Sequence, residues 1–494
     1  MISRRAFLKA AAVAAGAGVL AACGPSAAPS APPGGKTEVA GSTQTSAPKV
    51  TEIVPQAPTT IPVPSRTPDP AVLDVWFNTD IPDLNSFDLN SKDKGIEWAY
   101  RGLGQAMFVP WLARHPGVTM KITQHGWEFE LRQNQLAALA AGVIPDVTYG
   151  EGYVSEFVQR GVYSPVSNDA AKLFADASTR VAFKDGRYYG LPKTSGAEVL
   201  LINLNKVSAA GGDPANLPAT WEELLTLAQA ISKNNKSAKW GNTAYWAPLP
   251  SGDSYGSALR LLQWFNQNDA PLGSDLGVPS ANAPKAAETW DFQNQLLATS
   301  SKDMLLKGDA DLGYTQLFID GVIGLMPGWS PDGLFIGDAT PMAAIPFPVP
   351  PGGHPATIVV GNDIMSPLKN GKNPDLAINL TEESVSDPDA QAFMGENAFW
   401  IPALKSLLEQ HATYDRLGGF TTEPAKQVAR VTMQALLEGG GGPLPGWPRN
   451  GSRIWAAWTT AFLRIWNGNL GLAAIQIELD ALQKKIEGLL ASPA

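Results

Sequence analysis

Val72-Leu73-Asp74-Val75-Trp76-Phe77, Val118-Thr119-Met120-Lys121-Ile122-Thr123 and Pro145-Asp146-Val147-Thr148-Tyr149 decide the fold of this chain. The first is a short apolar run that stops at Asn78-Thr79-Asp80, and it reads as a buried strand. The second alternates like a strand, and the third is a short strand behind Pro145. Helical signals fill the gaps. Gly104 to Arg114 reads as a helix stopped by His115-Pro116-Gly117, and Glu130 to Ala141 as one that stops at Gly142. Repeated strand–helix–strand units predict an α/β fold with a parallel sheet covered by helices. Ligands of such sheets sit beyond the C-terminal strand ends, so the tips after Phe77 and Thr148 are the first places to look.

Working outward, the 494 residues supply chain for two or three domains. With 44% hydrophobic and 17% charged residues the composition is that of a globular protein. One Cys excludes a disulfide framework, a Cys-based zinc site and an iron–sulfur cluster. Four His, none in a close ligand pair, argue against a His-rich metal site. A net charge of −9 argues against a nucleic-acid partner. No cofactor is implied.

The N-terminus reads as an address. Ser3-Arg4-Arg5-Ala6-Phe7-Leu8-Lys9 is a charged region with paired arginines, followed by an apolar run from Ala10 to Ala22. As a helix these thirteen residues reach about 20 Å, short of the roughly 30 Å hydrocarbon core, so the run is a signal peptide core and not a membrane span. Leu20-Ala21-Ala22-Cys23-Gly24 resembles a bacterial lipoprotein box, and the arginine pair resembles a twin-arginine export signal. The resemblance implies export, cleavage after residue 22, lipidation of Cys23 and an anchor on the outer face of the cytoplasmic membrane. Cleavage removes Arg4, Arg5 and Lys9 and takes the net charge from −9 to −12. Such an acidic body gains nothing from an anionic membrane, which leaves the anchoring to the lipid.

Gly24 to Pro70 holds eleven of the 41 prolines and no Trp, Phe or Tyr. It reads as an extended tether without a core of its own.

The body from residue 71 onward carries motifs in a recognisable order. Leu136-Ala137-Ala138-Leu139-Ala140-Ala141-Gly142-Val143-Ile144-Pro145-Asp146-Val147 is followed by Glu156-Phe157-Val158-Gln159-Arg160-Gly161, then by Asp185-Gly186-Arg187-Tyr188-Tyr189-Gly190-Leu191-Pro192. Leu201-Ile202-Asn203-Leu204-Asn205-Lys206 and Pro218-Ala219-Thr220-Trp221-Glu222-Glu223-Leu224 come next. Phe318-Ile319-Asp320-Gly321, Met326-Pro327-Gly328-Trp329, Asn373-Pro374-Asp375-Leu376-Ala377 and Ser386-Asp387-Pro388-Asp389-Ala390-Gln391 complete the series. Together they resemble the extracellular solute-binding proteins of ABC importers, in the maltodextrin-binding-like family. Two pieces also have a local reason. Thr220 with Glu223 is a capping box, and Asp387 before Pro388 is an N-cap with Pro at the first helical position.

The resemblance implies a two-lobed periplasmic-binding-protein fold with a ligand cleft between lobes joined by a hinge. It divides the body into lobe 1, 71–194 with 358–405, and lobe 2, 195–357 with 406–494. It also implies a carbohydrate-like solute and a membrane permease as partners. Leu472 to Leu490 reads as a packing helix through Ile475, Ile477, Leu479, Leu482 and Ile486.

A sugar site needs aromatic faces to stack on and amides or carboxylates for the hydroxyls. Trp98, Trp111, Trp221, Trp264 and Trp290 lie on helix-like segments and read as core. The site candidates lie at turns. Asn78 and Asp80 end the first strand, and Tyr149, Glu151 and Tyr153 follow the third between glycines. Lys193, Ser195 and Glu198 fall at the first implied lobe crossing. Trp246 precedes Pro248, and Asn362 with Asp363 follows a strand read over Thr357 to Val360. Trp329, in Pro327-Gly328-Trp329-Ser330-Pro331, stands where the family often stacks its ligand. Trp447 sits in another Pro/Gly-rich loop. Lys193 occupies a position where the family often has an aromatic. It could meet an anionic ligand such as a sugar phosphate or glycerol phosphate, or be a surface lysine.

Two other classes stay open: a lipid-anchored carbohydrate-active enzyme and a structural lipoprotein. No zinc-protease His-Glu-x-x-His occurs, and no catalytic carboxylate pair stands out among 46 acids. Gly439 to Gly442 follows no strand and carries no lysine, so it is not a phosphate loop.

Overall fold

A computed structural model describes residues 71–492, apart from 93–94, 238, 248, 250–254, 275–276, 307–312, 360–361, 440–446 and 448–449. The leader, Cys23 and the tether lie outside the described residues, as does most of the glycine run.

Eight strands build the two main sheets. They are β1 (Ala71–Phe77), β2 (Val118–Gln124), β3 (Val147–Gly150), β4 (Leu191–Pro192), β5 (Val199–Asn203), β6 (Leu325–Gly328), β7 (Met342–Ile345) and β8 (Ile364–Pro367). The first sheet has the order β2-β1-β3-β8-β4. Its first three strands are parallel, as the motif order predicts. β8 is antiparallel to both neighbours, because it returns from the second sheet and not through a strand–helix–strand unit. The second sheet, β6-β5-β7, is antiparallel throughout. Leu200, Leu201 and Ile202 of β5 are fully buried, which explains why this strand reads as one unbroken apolar run.

The chain passes between the sheets over 193–198 and again over 346–363. It does so a third time after the helix Pro388–Asn397, which packs on the first-sheet helix Ile96–Arg114. The next long helix, Glu423–Glu438, packs on β7 and on the helix Ser330–Ile336. The three passages are tied to one another. Lys193 N donates to Asp363 O at 2.9 Å, Glu198 N to Ile358 O at 3.1 Å, and Ser195 N to Ile401 O at 3.3 Å. These bonds satisfy backbone groups that neither sheet can reach.

The helix read as Gly104 to Arg114 starts eight residues earlier, at Ile96. Gly102 and Gly104 hide its first half from the sequence, since glycine weakens a helical pattern. Both are there for close packing. A Cβ on Gly102 would strike the Phe393 ring, and one on Gly104 the Ile81 side chain. The strand read over Thr357 to Val360 does not form over its described residues, 357–359. Only an isolated bridge, Val359 to Ala197, occurs there, because this stretch is a passage between sheets. Asn362 and Asp363 directly precede a strand, β8.

Both caps form as their residues require. Glu223 N donates to Thr220 Oγ1 at 3.2 Å, and Thr220 N to Glu223 Oε2 at 3.1 Å. Asp387 Oδ1 accepts from Asp389 N and Ala390 N. The five tryptophans read as core are all buried, from Trp111 and Trp264 at 0% exposure to Trp98 at 9%. In the last helix, Leu472–Ala491, four of the five apolar positions pack, but Ile477 is 69% exposed and points away.

Gly419 supplies a prediction. A Cβ there would collide with the Ala398 carbonyl oxygen. Gly419→Ala is expected to cost about 1–3 kcal/mol by forced overpacking, read as a lower denaturation midpoint. An unchanged midpoint would show that this turn is not packed against Ala398.

Candidate functional site

The site is built where β1 and β3 end and the first two passages meet. Asn78 follows β1, Tyr149 lies in β3, Lys193 opens the first passage, and Asp363 closes the second. One carboxylate oxygen gathers them. Asp363 Oδ2 accepts from Lys193 Nζ at 2.6 Å, Asn78 Nδ2 at 2.9 Å and Tyr100 Oη at 2.9 Å. Lys193 is 1% exposed and its ammonium stands 5.1, 5.0 and 4.8 Å from the ring centroids of Phe77, Tyr100 and Tyr149. This corrects the surface-lysine reading: a buried carboxylate and three ring faces replace water around the charge. Burial still pulls the Lys193 pKa down, with Asp363 and then Glu151 opposing. Burial and the Asp363 charge push the Tyr100 phenol well above its usual range, so it stays a donor. Beside this group, Ser195 Oγ donates to Asn362 Oδ1 at 3.2 Å, and Asn362 Nδ2 to Ser178 O at 2.8 Å.

Aromatic rings lead from this floor to the second sheet. Tyr149 meets Trp127 edge-on at 6.3 Å, Trp127 meets Tyr100 at 5.3 Å, Tyr100 meets Trp400 at 6.0 Å, and Trp400 meets Trp329 at 5.7 Å. Trp329 follows β6 and is the N-cap of the helix Ser330–Ile336. Its backbone N–H donates to Asp332 Oδ2 at 3.1 Å, and the other Asp332 oxygen accepts from Tyr314 Oη at 2.8 Å. Tyr314 stacks on the fully buried Trp246 at 4.9 Å. Trp127, Trp329 and Tyr314 are only half-buried, while the rings between them are buried. An aromatic path thus runs from one sheet to the other, with half-buried rings on both sides. Such an arrangement can stack on the C–H faces of sugar rings. Among the described residues no group of three or more His, Cys, Asp or Glu could hold a metal ion.

Residues 98–394 match the family model described as bacterial extracellular solute-binding protein. The chain belongs to this family. It is 28% identical over 143 residues to the sn-glycerol-3-phosphate-binding periplasmic protein UgpB of Agrobacterium fabrum, covering 29% of this chain and 31% of that one. The chain thus spans about a third of the length of that relative. It is 26% identical over 294 residues to the maltodextrin-binding protein MdxE of Bacillus subtilis, covering 58% of this chain and 67% of that one. In fold it is similar to the sugar-binding protein MalE from Xanthomonas citri, with a TM-score of 0.64, 16% identity, and coverage of 85% of this chain and 97% of that one. The fold is therefore that of the two-lobed solute-binding proteins. These relatives are named as binding proteins, not enzymes.

Seen as a solute-binding protein, the chain brings most of its candidate residues together. Asn78, Tyr149, Lys193, Ser195, Asn362 and Asp363 share the floor, and Glu151 is near enough for its charge to act on Lys193 and Tyr100. Trp329 and Trp246 lie on the far side, joined through Asp332 and Tyr314. Four candidates fall elsewhere. Asp80 is exposed and its carboxylate accepts from Gln124 N at 2.8 Å, which ties the end of β1 to β2. Tyr153 packs on Phe157 in the small core that lies behind Tyr149. Glu198 is buried, with its backbone bonded to Ile358 and Thr357. Trp447 is 3% exposed and meets Trp455 edge-on at 6.4 Å. Sequence reasoning missed Tyr100, Trp127, Tyr314 and Trp400. Trp400 carries the signal that singled out Trp329, an aromatic beside a proline-bearing non-helical stretch, Phe399-Trp400-Ile401-Pro402.

One enzyme-like pattern also went unread. Gly252-Asp253-Ser254-Tyr255-Gly256 has the Gly-x-Ser-x-Gly spacing of a nucleophile elbow. An elbow needs a strand leading into the serine. Ser254 lies outside the described residues, and 245–247 before it contribute only an isolated bridge, Tyr245 to Leu325.

Trp76 stacks on His125 at 3.7 Å, and burial lowers the His125 pKa below its usual value. The unfolded chain therefore takes up this proton first, near pH 6.5. Stability contributed here is present above that pH and is lost as the pH falls toward the depressed folded value. His125→Gln is expected to flatten this part of the profile. Urea unfolding at pH 7.5 and 5.0 checks it, and an identical pH dependence in both proteins would remove His125 as a contributor.

Proposed function

We propose that this protein is the extracytoplasmic receptor of an ABC importer, capturing a carbohydrate-like solute between its two lobes and delivering it to a membrane permease. The observation that carries the reading is the aromatic path from Trp127 through Tyr100 and Trp400 to Trp329, with half-buried rings at each side. The maltodextrin-binding relative supports a sugar, and the family supports an exported protein. Lobe 1 comprises 71–194 and 358–405, and lobe 2 comprises 195–357 and 406–494. The three tied passages act as the hinge. Ligand favours the closed form by the difference in its affinity for the two forms. Residues 1–22 direct export, with Arg4 and Arg5 as a twin-arginine signal. Lipidated Cys23 and the Pro-rich tether hold the receptor at high effective concentration near the permease.

The test is thermal unfolding of the protein against sugars, polyols, sugar phosphates and peptides. A ligand at 100 times its dissociation constant adds about 2.7 kcal/mol, visible as a higher melting temperature. A neutral saccharide that raises the midpoint and is recovered unchanged supports the receptor. Recovery of a hydrolysed product returns the enzyme reading, and silence across the panel with cooperative unfolding returns the structural one.

A further inference from the structure

Lys193 fills the kind of cage that otherwise recognises an ammonium ligand. Three ring faces stand about it at 4.8–5.1 Å, and Asp363 closes the remaining side at 2.6 Å. The cation is the chain's own, so the two charges cancel. The pair is joined through Tyr100 directly to Trp127 and Trp400, the rings that form the aromatic path. We infer that Lys193 and Asp363 set the charge balance of this cleft, cancelling one another behind the aromatic floor so that no free cation is offered and the cleft takes uncharged polyhydroxylated solutes in preference to phosphorylated ones. The inference rests on the carbohydrate reading above and narrows it.

One further observation points the same way. Asn78 is fully buried in the same group, and its Oδ1 has no hydrogen-bond partner. A buried acceptor calls for a donor, which a sugar hydroxyl offers and a phosphate dianion does not. The position where the glycerol-phosphate reading needed a free cation holds a neutralised one.

The size of the effect follows from Coulomb's law. One uncancelled unit charge about 10 Å from a ligand charge, at an effective dielectric of about 20, changes affinity by roughly tenfold. Calorimetric titration of the full chain, in a detergent without saccharide groups, compares glucose with glucose 6-phosphate, maltose with maltose 1-phosphate, and glycerol with glycerol 3-phosphate. The neutral member of a binding pair is expected to bind at least tenfold tighter. Asp363→Asn, which leaves the ammonium uncancelled, is expected to narrow that ratio by about tenfold, and Lys193→Met to widen it. The double variant Lys193→Met with Asp363→Asn, which removes both charges, is expected to keep the wild-type ratio. Should the single variants fail to fold, the wild-type and double-variant ratios carry the test. Equal or tighter binding of the phosphorylated member to the wild type overturns the charge inference alone. So does a ratio unmoved in both folded single variants. If no pair member binds a cooperatively folded wild type, the carbohydrate reading fails and this inference fails with it.

Discussion

Replacing Lys193 with methionine is expected to lower the unfolding free energy by about 3–5 kcal/mol, the cost of stranding a buried charge without its partner. Nζ and Oδ2 stand 2.6 Å apart with side-chain exposures of 0% and 2%, so water cannot take over when either is removed. Asp363 would keep only Asn78 and Tyr100 as donors to its bonded oxygen. Lys193→Met with Asp363→Asn is expected to recover most of the loss, because no charge is then left without compensation. Chemical denaturation of the wild type, both single variants and the double variant closes the cycle. A Lys193→Met protein as stable as the wild type would show that the pair is open to solvent.

Trp329→Ala is expected to weaken ligand binding by about 1–3 kcal/mol, the scale of a stacked aromatic contact. The ring is half-buried and its described ring contact is the edge of Trp400, so its removal leaves the fold largely in place. The loss belongs in affinity and not in the denaturation midpoint of the free protein. Trp111→Ala makes the opposite control. That ring is fully buried and its Nε1 donates to Asn379 at 2.9 Å, so its loss costs about 3–5 kcal/mol of stability wherever the ligand binds. Unchanged affinity in a folded Trp329→Ala protein would take the ring out of the site.

The parts of this architecture that local patterns encode are legible in the chain. β1 reads as a strand because Leu73, Val75 and Phe77 are buried on the core side and Trp76 on the other. The caps at Thr220 and Asp387 read correctly because a cap is a contact between residues three apart or fewer. Lys193 could not be read this way. Its partner Asp363 is 170 positions distant, and burial of a lysine follows only from that pairing. Asn362 and Asp363 were found as polar residues beside an apolar stretch, yet on the wrong side of a strand. The passage Thr357 to Val359 is buried by its neighbours and mimics one. Trp447 and Trp329 occupy similar Pro/Gly-rich stretches of sequence, and only tertiary packing separates the first, buried against Trp455, from the second, which is half-buried.

The most direct test of the account is a fluorescence and calorimetric titration of the full chain with maltose and longer neutral maltodextrins. The account predicts saturable one-to-one binding, with a change in tryptophan emission that is diminished in Trp329→Ala and in Trp127→Ala. Absence of saturable binding of any neutral saccharide by the folded protein, or binding that neither substitution alters, would contradict it.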